Sequence, residues 1–159
     1  LGVCMVNHLD FLAFQFFKLF AQYEYALKAM GYAKSGRDDS VQLDWDGFSN
    51  DIGCLVLVDA EFPLQHAIDY IFDEPPRKQV LEDGKINWRK VNADQRSPQI
   101  LFSHIRRVRN NLYHGGKFNA HWLQPERSEL LVKNSLIVLR ALQGKHDGLA
   151  EAIRENRAS

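Results

Sequence analysis

The chain is poor in the residues that form covalent or metal cross-links. It has two cysteines, Cys4 and Cys54, among 159 residues. Neither lies in a Cys-x-x-Cys pair or beside a His at zinc-ligand spacing, which argues against a disulfide framework and a zinc site. The six His residues also lack metal-ligand spacing. The sequence therefore predicts buried thiols, no metal and no cofactor.

The chain also lacks an excess of either charge and a long apolar run. Twenty Lys and Arg residues balance twenty Asp and Glu residues. Nucleic-acid binding would therefore have to come from a local cluster of charge. The Phe-rich stretch 11–20 is interrupted by Gln15 and Lys18 and is too short to span a membrane, and no secretory signal is recognisable before it. We expect a cytoplasmic protein without a membrane partner.

What the chain does have is helical periodicity over most of its length. We predict helices over residues 7–30, 47–72, 97–114, 125–143 and 146–157, with the segments 31–46 and 73–97 as loops. Ser97 and Pro98 form a helix start, Gly115-Gly116 a stop, and Gly144 ends the fourth helix. The predicted fold class is all-α, an up-and-down bundle of four or five helices in a single domain, residues 1–159.

Two of these helices leave alternatives open. Pro63 should kink or split the second helix, and the run 55–58 within it also fits a short buried strand. The first helix is apolar on two sides, which is typical of a helix central to its domain or buried at a subunit contact. One side carries Phe16, Phe20, Tyr23, Leu27 and Met30, and the other Phe11, Phe14 and Tyr25.

The segment with the most distinctive chemistry is Arg-Val-Arg-Asn-Asn-Leu-Tyr-His-Gly-Gly-Lys-Phe, residues 107–118. Between Gln95 and Pro125 there are five basic residues, three His and no acid. Arg and Lys hold phosphate oxygens, and an aromatic ring can stack on a base. The candidate RNA-binding residues are Arg106, Arg107, Lys117 and Tyr113. The alternative for each is an ordinary role in packing or at a helix end.

A resemblance to a known family starts from the same segment. Arg109-Asn110-Asn111-Leu112-Tyr113-His114, followed by Gly115-Gly116-Lys117, resembles the Arg-x4-His motif of HEPN domains. Segments 23–28 and 125–127 are similar to family members too. The resemblance implies a homodimer that brings two motifs into one cleft. Many members are metal-independent endoribonucleases, found as toxins, antiviral defence effectors and RNA-processing proteins.

The resemblance also assigns roles to residues. It implies that Arg109 and His114 are catalytic and that Asn110 supports them. Some members are controlled by a nucleotidyltransferase antitoxin through a Tyr two residues after the His, and Gly116 occupies that position here. The resemblance therefore implies a cognate antitoxin as a candidate partner. Control of the protein by modification of that Tyr is not expected.

The residue types fit cleavage of RNA by its own 2′-hydroxyl. We expect His114 to transfer protons and Arg109 to bind the phosphate. Asn110 would orient either the phosphate or the imidazole. Glu24 of the first helix is a candidate supporting residue. Single-stranded RNA is the expected substrate, because in-line attack needs a flexible backbone. Two other interpretations stay open: a non-catalytic module that binds a nucleotide, RNA or protein partner, and a structural dimerisation protein.

Overall fold

The computed structural model describes residues 8–92, 95–114, 118–119, 121–122 and 124–155. The helices in this part of the chain are α1 (His8–Ala29), α2 (Trp45–Asp51), α3 (Leu64–Asp73), α4 (Pro98–Tyr113), α5 (Pro125–Lys145) and α6 (Asp147–Glu155). The strands are β1 (Ala33–Ser35), β2 (Val41–Leu43), β3 (Lys78–Glu82), β4 (Lys85–Arg89), β5 (Phe118–Asn119) and β6 (His121–Trp122). Short 3-10 helices span Arg37–Asp39 and Gly53–Leu57.

The predicted fold class is wrong. The described residues form six α-helices rather than four or five, and they include two small antiparallel sheets, β1–β2 and β3–β4. A two-residue antiparallel pair, β5–β6, follows α4. The protein is mainly helical, but it is not an all-α up-and-down bundle. Each sheet joins strands that are neighbours in sequence, so strand pairing stays local and the helices form the core.

The core is one contiguous apolar cluster to which all six helices contribute. Helix α5 lies at its centre and packs against α1, α3 and α6, while α2 and α3 pack against α4. The Phe48 and Phe102 rings meet edge to face at 4.8 Å, which joins α2 to α4. None of the helices that the structure describes combines the length and apolar character needed to cross a bilayer.

Helix α1 confirms the predicted first helix over the residues that the structure describes. Its inward face is buried at Phe16, Phe20, Tyr23 and Leu27. The Tyr23 hydroxyl donates a hydrogen bond to the backbone carbonyl of Leu139 in α5. The other predicted apolar side is exposed: Phe11, Phe14 and Tyr25 lie in solvent. The described part of the chain therefore leaves one aromatic face of α1 uncovered.

The predicted second helix is divided into three pieces. Helix α2 and the 3-10 helix Gly53–Leu57 precede Pro63, which is the N-cap of α3. The predicted split at proline is confirmed, because proline fits the start of a helix but not its interior. The alternative strand over residues 55–58 is wrong, since most of that run lies in the 3-10 helix.

Both segments predicted as loops contain hairpins. The strands β1 and β2 lie within 31–46, and β3 and β4 lie within 73–97. The Asp-Gly turn at 83–84 is confirmed, because both residues have positive φ, as the tightest hairpin turns require. The sequence did not predict β3 and β4 because their side chains do not alternate between buried and exposed positions. Even Leu81 and Ile86, which pair across the two strands, are exposed.

The two helices around the candidate site have the predicted starts. Ser97 caps α4 by accepting a hydrogen bond from the Ile100 backbone N–H at 3.2 Å, with Pro98 following it. Helix α5 begins at Pro125 but continues past Gly144 to Lys145, so the predicted stop at that glycine is wrong. The predicted stop at Gly115-Gly116 lies outside the described residues.

Candidate functional site

The candidate site lies at the carboxyl end of α4, where the helix is anchored on its opposite side. Leu101, Ile105, Val108 and Leu112 form the buried stripe of α4. Asn111 also faces inward enough to donate a hydrogen bond from Nδ2 to the Arg77 carbonyl at 2.9 Å. Because these contacts fix the rotation of the helix, Asn110 and His114 point outward, and both are exposed.

The Arg109 guanidinium lies between two aromatic rings. Its central carbon is 5.6 Å from the Phe20 ring centroid and 5.0 Å from the Tyr113 ring centroid. Its Nη1 donates a hydrogen bond to Oδ1 of Asn110 at 3.0 Å. Cation–π contacts fix the plane of the group without using its N–H donors. Among the described residues no carboxylate pairs with Arg109, so the other donors can bind an anion.

Tyr113 connects Arg109 to His114. The His114 ring meets the Tyr113 ring edge-on, at 5.4 Å between centroids and 88° between planes. On its face, Tyr113 stacks on Phe17 of α1 at 6.1 Å and 2°. The imidazole and the guanidinium are thus arranged around one exposed aromatic ring. The backbone N–H of His114 donates to the carbonyls of Asn110 and Leu112 and closes the helix.

Arg106 lies beside this group but packs toward α2. Its guanidinium stacks over the Trp45 ring at 4.8 Å. Burial lowers the pKa of Arg106, and Glu24 and Asp46 act in the opposite direction. The predicted support residue Glu24 is therefore near Arg106, where its charge favours the guanidinium. In this position Arg106 and Glu24 flank the candidate site.

Arg107 lies on another side of α4. Its Nη1 is 3.2 Å from Nδ1 of His104, which is buried, and burial lowers the pKa of Arg107. The structure therefore does not place Arg107 with Arg109 and His114, although the sequence grouped all three. Lys117, the last predicted RNA-binding residue, lies outside the described residues.

Three aromatic residues of the site were missed in the sequence. In α1, Phe17 contacts Tyr113 and Phe20 contacts Arg109. Trp45 contacts both Phe20 and Arg106. The Phe-rich stretch 11–20 shows that α1 carries aromatic side chains, and its periodicity shows on which face of the helix each one lies. The helix that these side chains contact is determined by tertiary packing and cannot be predicted from a local sequence pattern.

Neither metal chemistry nor a known relative guides the assignment further. No group of three or more His, Cys, Asp or Glu side chains within the described ranges is placed to hold a metal ion. Comparisons with protein-family models, curated proteins and solved structures found no match to this chain.

Proposed function

We propose that the protein is a metal-independent endoribonuclease that cleaves single-stranded RNA, with a composite site formed by two copies of the chain. The observation that carries the proposal is the grouping of Arg109, Asn110 and His114 around the exposed Tyr113 ring. The similarity of this segment to the HEPN motif supports it. Toxin or antiviral defence activity is the biological role that this similarity favours.

The proposed reaction uses the substrate's own nucleophile. A base removes the proton of the ribose 2′-hydroxyl, and O2′ attacks the adjacent phosphorus. The bond from phosphorus to O5′ breaks, and an acid protonates O5′. The products are a 2′,3′-cyclic phosphate and a 5′-hydroxyl. His114 supplies proton transfer, because its exposed imidazole can act as a general acid or base. Arg109 stabilises the charge on the phosphorane.

The aromatic contacts suit RNA as the substrate. Tyr113 is 60% exposed, so a base of a single strand can contact this side chain although its ring also contacts Phe17, Arg109 and His114. Arg109 is held against the same ring, which sets a phosphate site next to a base-stacking site. Arg106, three residues before Arg109 in α4 and stacked over Trp45, is our candidate for contact with a neighbouring phosphate.

A dimer supplies what one copy lacks. One imidazole cannot act as base and acid in the same step, whereas two motifs in one cleft can. The exposed aromatic face of α1 supports such pairing, because the described residues leave it uncovered and Phe17 connects it with the Tyr113 ring. Apolar faces of this kind are typical of protein interfaces.

The decisive experiment is cleavage of end-labelled single-stranded RNA in EDTA. We expect wild type to cut, and Arg109→Ala and His114→Ala to lose at least about a hundredfold in rate, since each removes a group acting in the transition state. Matched controls are Arg154→Ala and His66→Ala, which change exposed residues of the same types elsewhere. They should cut within about twofold of wild type.

Two further arms test the mechanism. RNA carrying a 2′-O-methyl group at the cut site should resist cleavage, and the products should carry cyclic phosphate ends. Mixing wild type with an excess of His114→Ala should lower the rate per wild-type chain if the site is shared between copies, because a mixed dimer holds only one of the two imidazoles. Equal trace cutting by wild type and both variants would identify a contaminant and refute the proposal. RNA binding without cutting would favour a non-catalytic module.

A further inference from the structure

A second site is suggested by a cleft that no residue of α4 lines. The cleft has a volume of about 500 Å³ and lies between the segment that follows α3 and the segment that follows β4. Its walls include Arg77, Arg127, Lys90 and Asn92. Volumes of about 300–1,000 Å³ are typical of small-molecule sites. The proposed RNA site uses none of these residues.

The charges around the cleft do not cancel. Two carboxylates line it, and each already has an arginine partner: Asp73 accepts from Arg96, and Glu74 accepts from Arg127 at 2.7 Å. Arg77 and Lys90 have no carboxylate partner among the residues that the structure describes. Because Arg96 also pairs with Asp69, the charges in and beside the cleft sum to +1 over the described residues, and Arg77 and Lys90 are the two cations of its wall without a carboxylate partner there.

Arg77 also carries an unused donor. Its Nε is buried and has no hydrogen-bond partner in the described part of the chain. Buried N–H groups are nearly always paired, and one that is not paired costs free energy unless a ligand or ordered water accepts from it. An anionic oxygen bound at Arg77 would satisfy this donor, and its negative charge would be attracted by both Arg77 and Lys90.

The position of Arg77 is fixed before any ligand arrives. Pro75 and Pro76 restrict the backbone that leads to it. Arg127 donates from Nη2 to the carbonyls of Glu74 and Pro75, at 3.3 and 2.8 Å. The carbonyl of Arg77 itself accepts from Asn111. A site ordered in this way loses little conformational entropy on binding.

A narrow apolar recess adjoins the cleft. It has a volume of about 40 Å³, shares Arg77 and Arg127 with the cleft, and is walled by Trp88, Leu112 and Leu131. It admits a small apolar group beside the cation pair. We propose that the cleft binds a small molecule carrying a phosphate or carboxylate group, held by Arg77 and Lys90, with an apolar end directed at the recess.

The test is an NMR titration of the whole chain with inorganic phosphate, and separately with acetate, at an ionic strength held constant with sodium chloride. We expect saturable shifts of the Arg77 Nε–H and the backbone signals of residues 73–77 and 90–92. Shifts with phosphate alone would assign a phosphate ligand, and shifts with acetate alone a carboxylate. Shifts no larger than those with chloride would overturn the proposal.

Variants locate the effect. Lys90→Gln removes an exposed charge and should weaken binding about threefold or more, and Arg77→Gln should weaken it about tenfold or more. Lys85→Gln, an exposed lysine of the same hairpin, and His114→Ala should bind within about twofold of wild type. Unchanged affinity in Lys90→Gln would overturn the proposal even if Arg77→Gln failed to fold. The cleft and the proposed RNA site share no residue, so a lack of anion binding at the cleft would not contradict the nuclease proposal.

Discussion

At the scale of single residues, some buried polar groups of the core have a hydrogen-bond partner, whereas Ser49 Oγ and Ser135 Oγ have none among the described residues. The Tyr23 hydroxyl is buried and donates to the Leu139 carbonyl, and burial raises the pKa of Tyr23 well above its ordinary value. The pair joins α1 to α5 inside an otherwise apolar contact. A typical intramolecular hydrogen bond contributes about 0.5–1.5 kcal/mol to stability.

Replacing Tyr23 with Phe tests this pair. The ring stays in place and the Leu139 carbonyl keeps its bond within α5, but the bond from the hydroxyl is lost, so we expect the free energy of unfolding to fall by about 0.5–1.5 kcal/mol. Urea denaturation followed by circular dichroism measures it. Tyr25→Phe removes the same hydroxyl from an exposed position of the same helix and should be neutral. Equal stability of both variants would show that the buried bond contributes nothing.

His104 makes stability depend on pH. Its side chain is buried beside Arg107, and burial followed by this positive charge lowers the pKa of His104 to about 4. The unfolded chain takes up that proton near pH 6.5. Between these values the unfolded state binds more protons, so stability present at pH 7 is lost as pH falls toward 4.

The prediction for His104 is a difference in slope. Wild type should lose up to about 3 kcal/mol more between pH 7 and pH 4 than His104→Leu, which has no proton to bind there. Denaturant unfolding at pH 7, 5.5 and 4.5 measures both proteins. Because His66 is exposed, His66→Leu should keep the wild-type slope. Parallel curves for wild type and His104→Leu would contradict the assignment.

At the scale of elements, prediction from sequence worked where the signal was local. Ser97-Pro98 specified the start of α4, and Asp83-Gly84 specified a turn, because caps and turns are determined by a few adjacent residues. The strands of β3–β4 were missed because their exposed side chains leave no burial pattern. Strand pairing across a turn depends on the partner, which periodicity within one segment does not contain.

The candidate site shows the same division. The order Arg109, Asn110, His114 and its position at a helix end could be predicted, since all three lie within two turns of one helix. The contacts of Phe17 with Tyr113 and of Trp45 with Arg106 could not, because they join elements distant in sequence. The helical angle grouped Arg107 with Arg109 and His114. That angle does not show that the Arg107 side chain contacts the buried His104 instead.

Two glycines test the backbone of two elements with the same substitution. Gly84 has a φ of +72° in the β3–β4 turn, so Gly84→Ala should lower the free energy of unfolding by about 1 kcal/mol. Gly144 lies within α5, and an added Cβ meets nothing within 4 Å, so Gly144→Ala should raise it by about 0.5–1 kcal/mol. Thermal unfolding of both variants compares them. Changes of the same sign would contradict this assignment of the two backbones.

At the scale of the whole molecule, the distribution of aromatic residues is uneven. Helix α1 buries one face in the core, yet Phe11 and Phe14 on the other face are 52% and 66% exposed. A groove of about 340 Å³ runs along these residues toward Arg140 of α5. An uncovered aromatic face beside such a groove is typical of a surface that meets a partner, and the shared-site proposal requires that partner to be a second copy.

Phe14→Glu tests both the partner and its link to activity. A carboxylate at the middle of this face would have to be buried without a counter-ion in a dimer, so the variant should sediment as a monomer at micromolar concentrations where wild type sediments as a dimer. Because Phe14 faces solvent in the single chain, folding measured by circular dichroism should be unchanged. Leu81→Glu, at an equally exposed position on the β3–β4 hairpin, should stay dimeric and active. If RNA cleavage needs motifs from two copies, the rate for Phe14→Glu should fall together with the dimer fraction and recover as protein concentration rises. A monomeric Phe14→Glu protein that cleaves RNA at the wild-type rate would show that one chain carries the complete site.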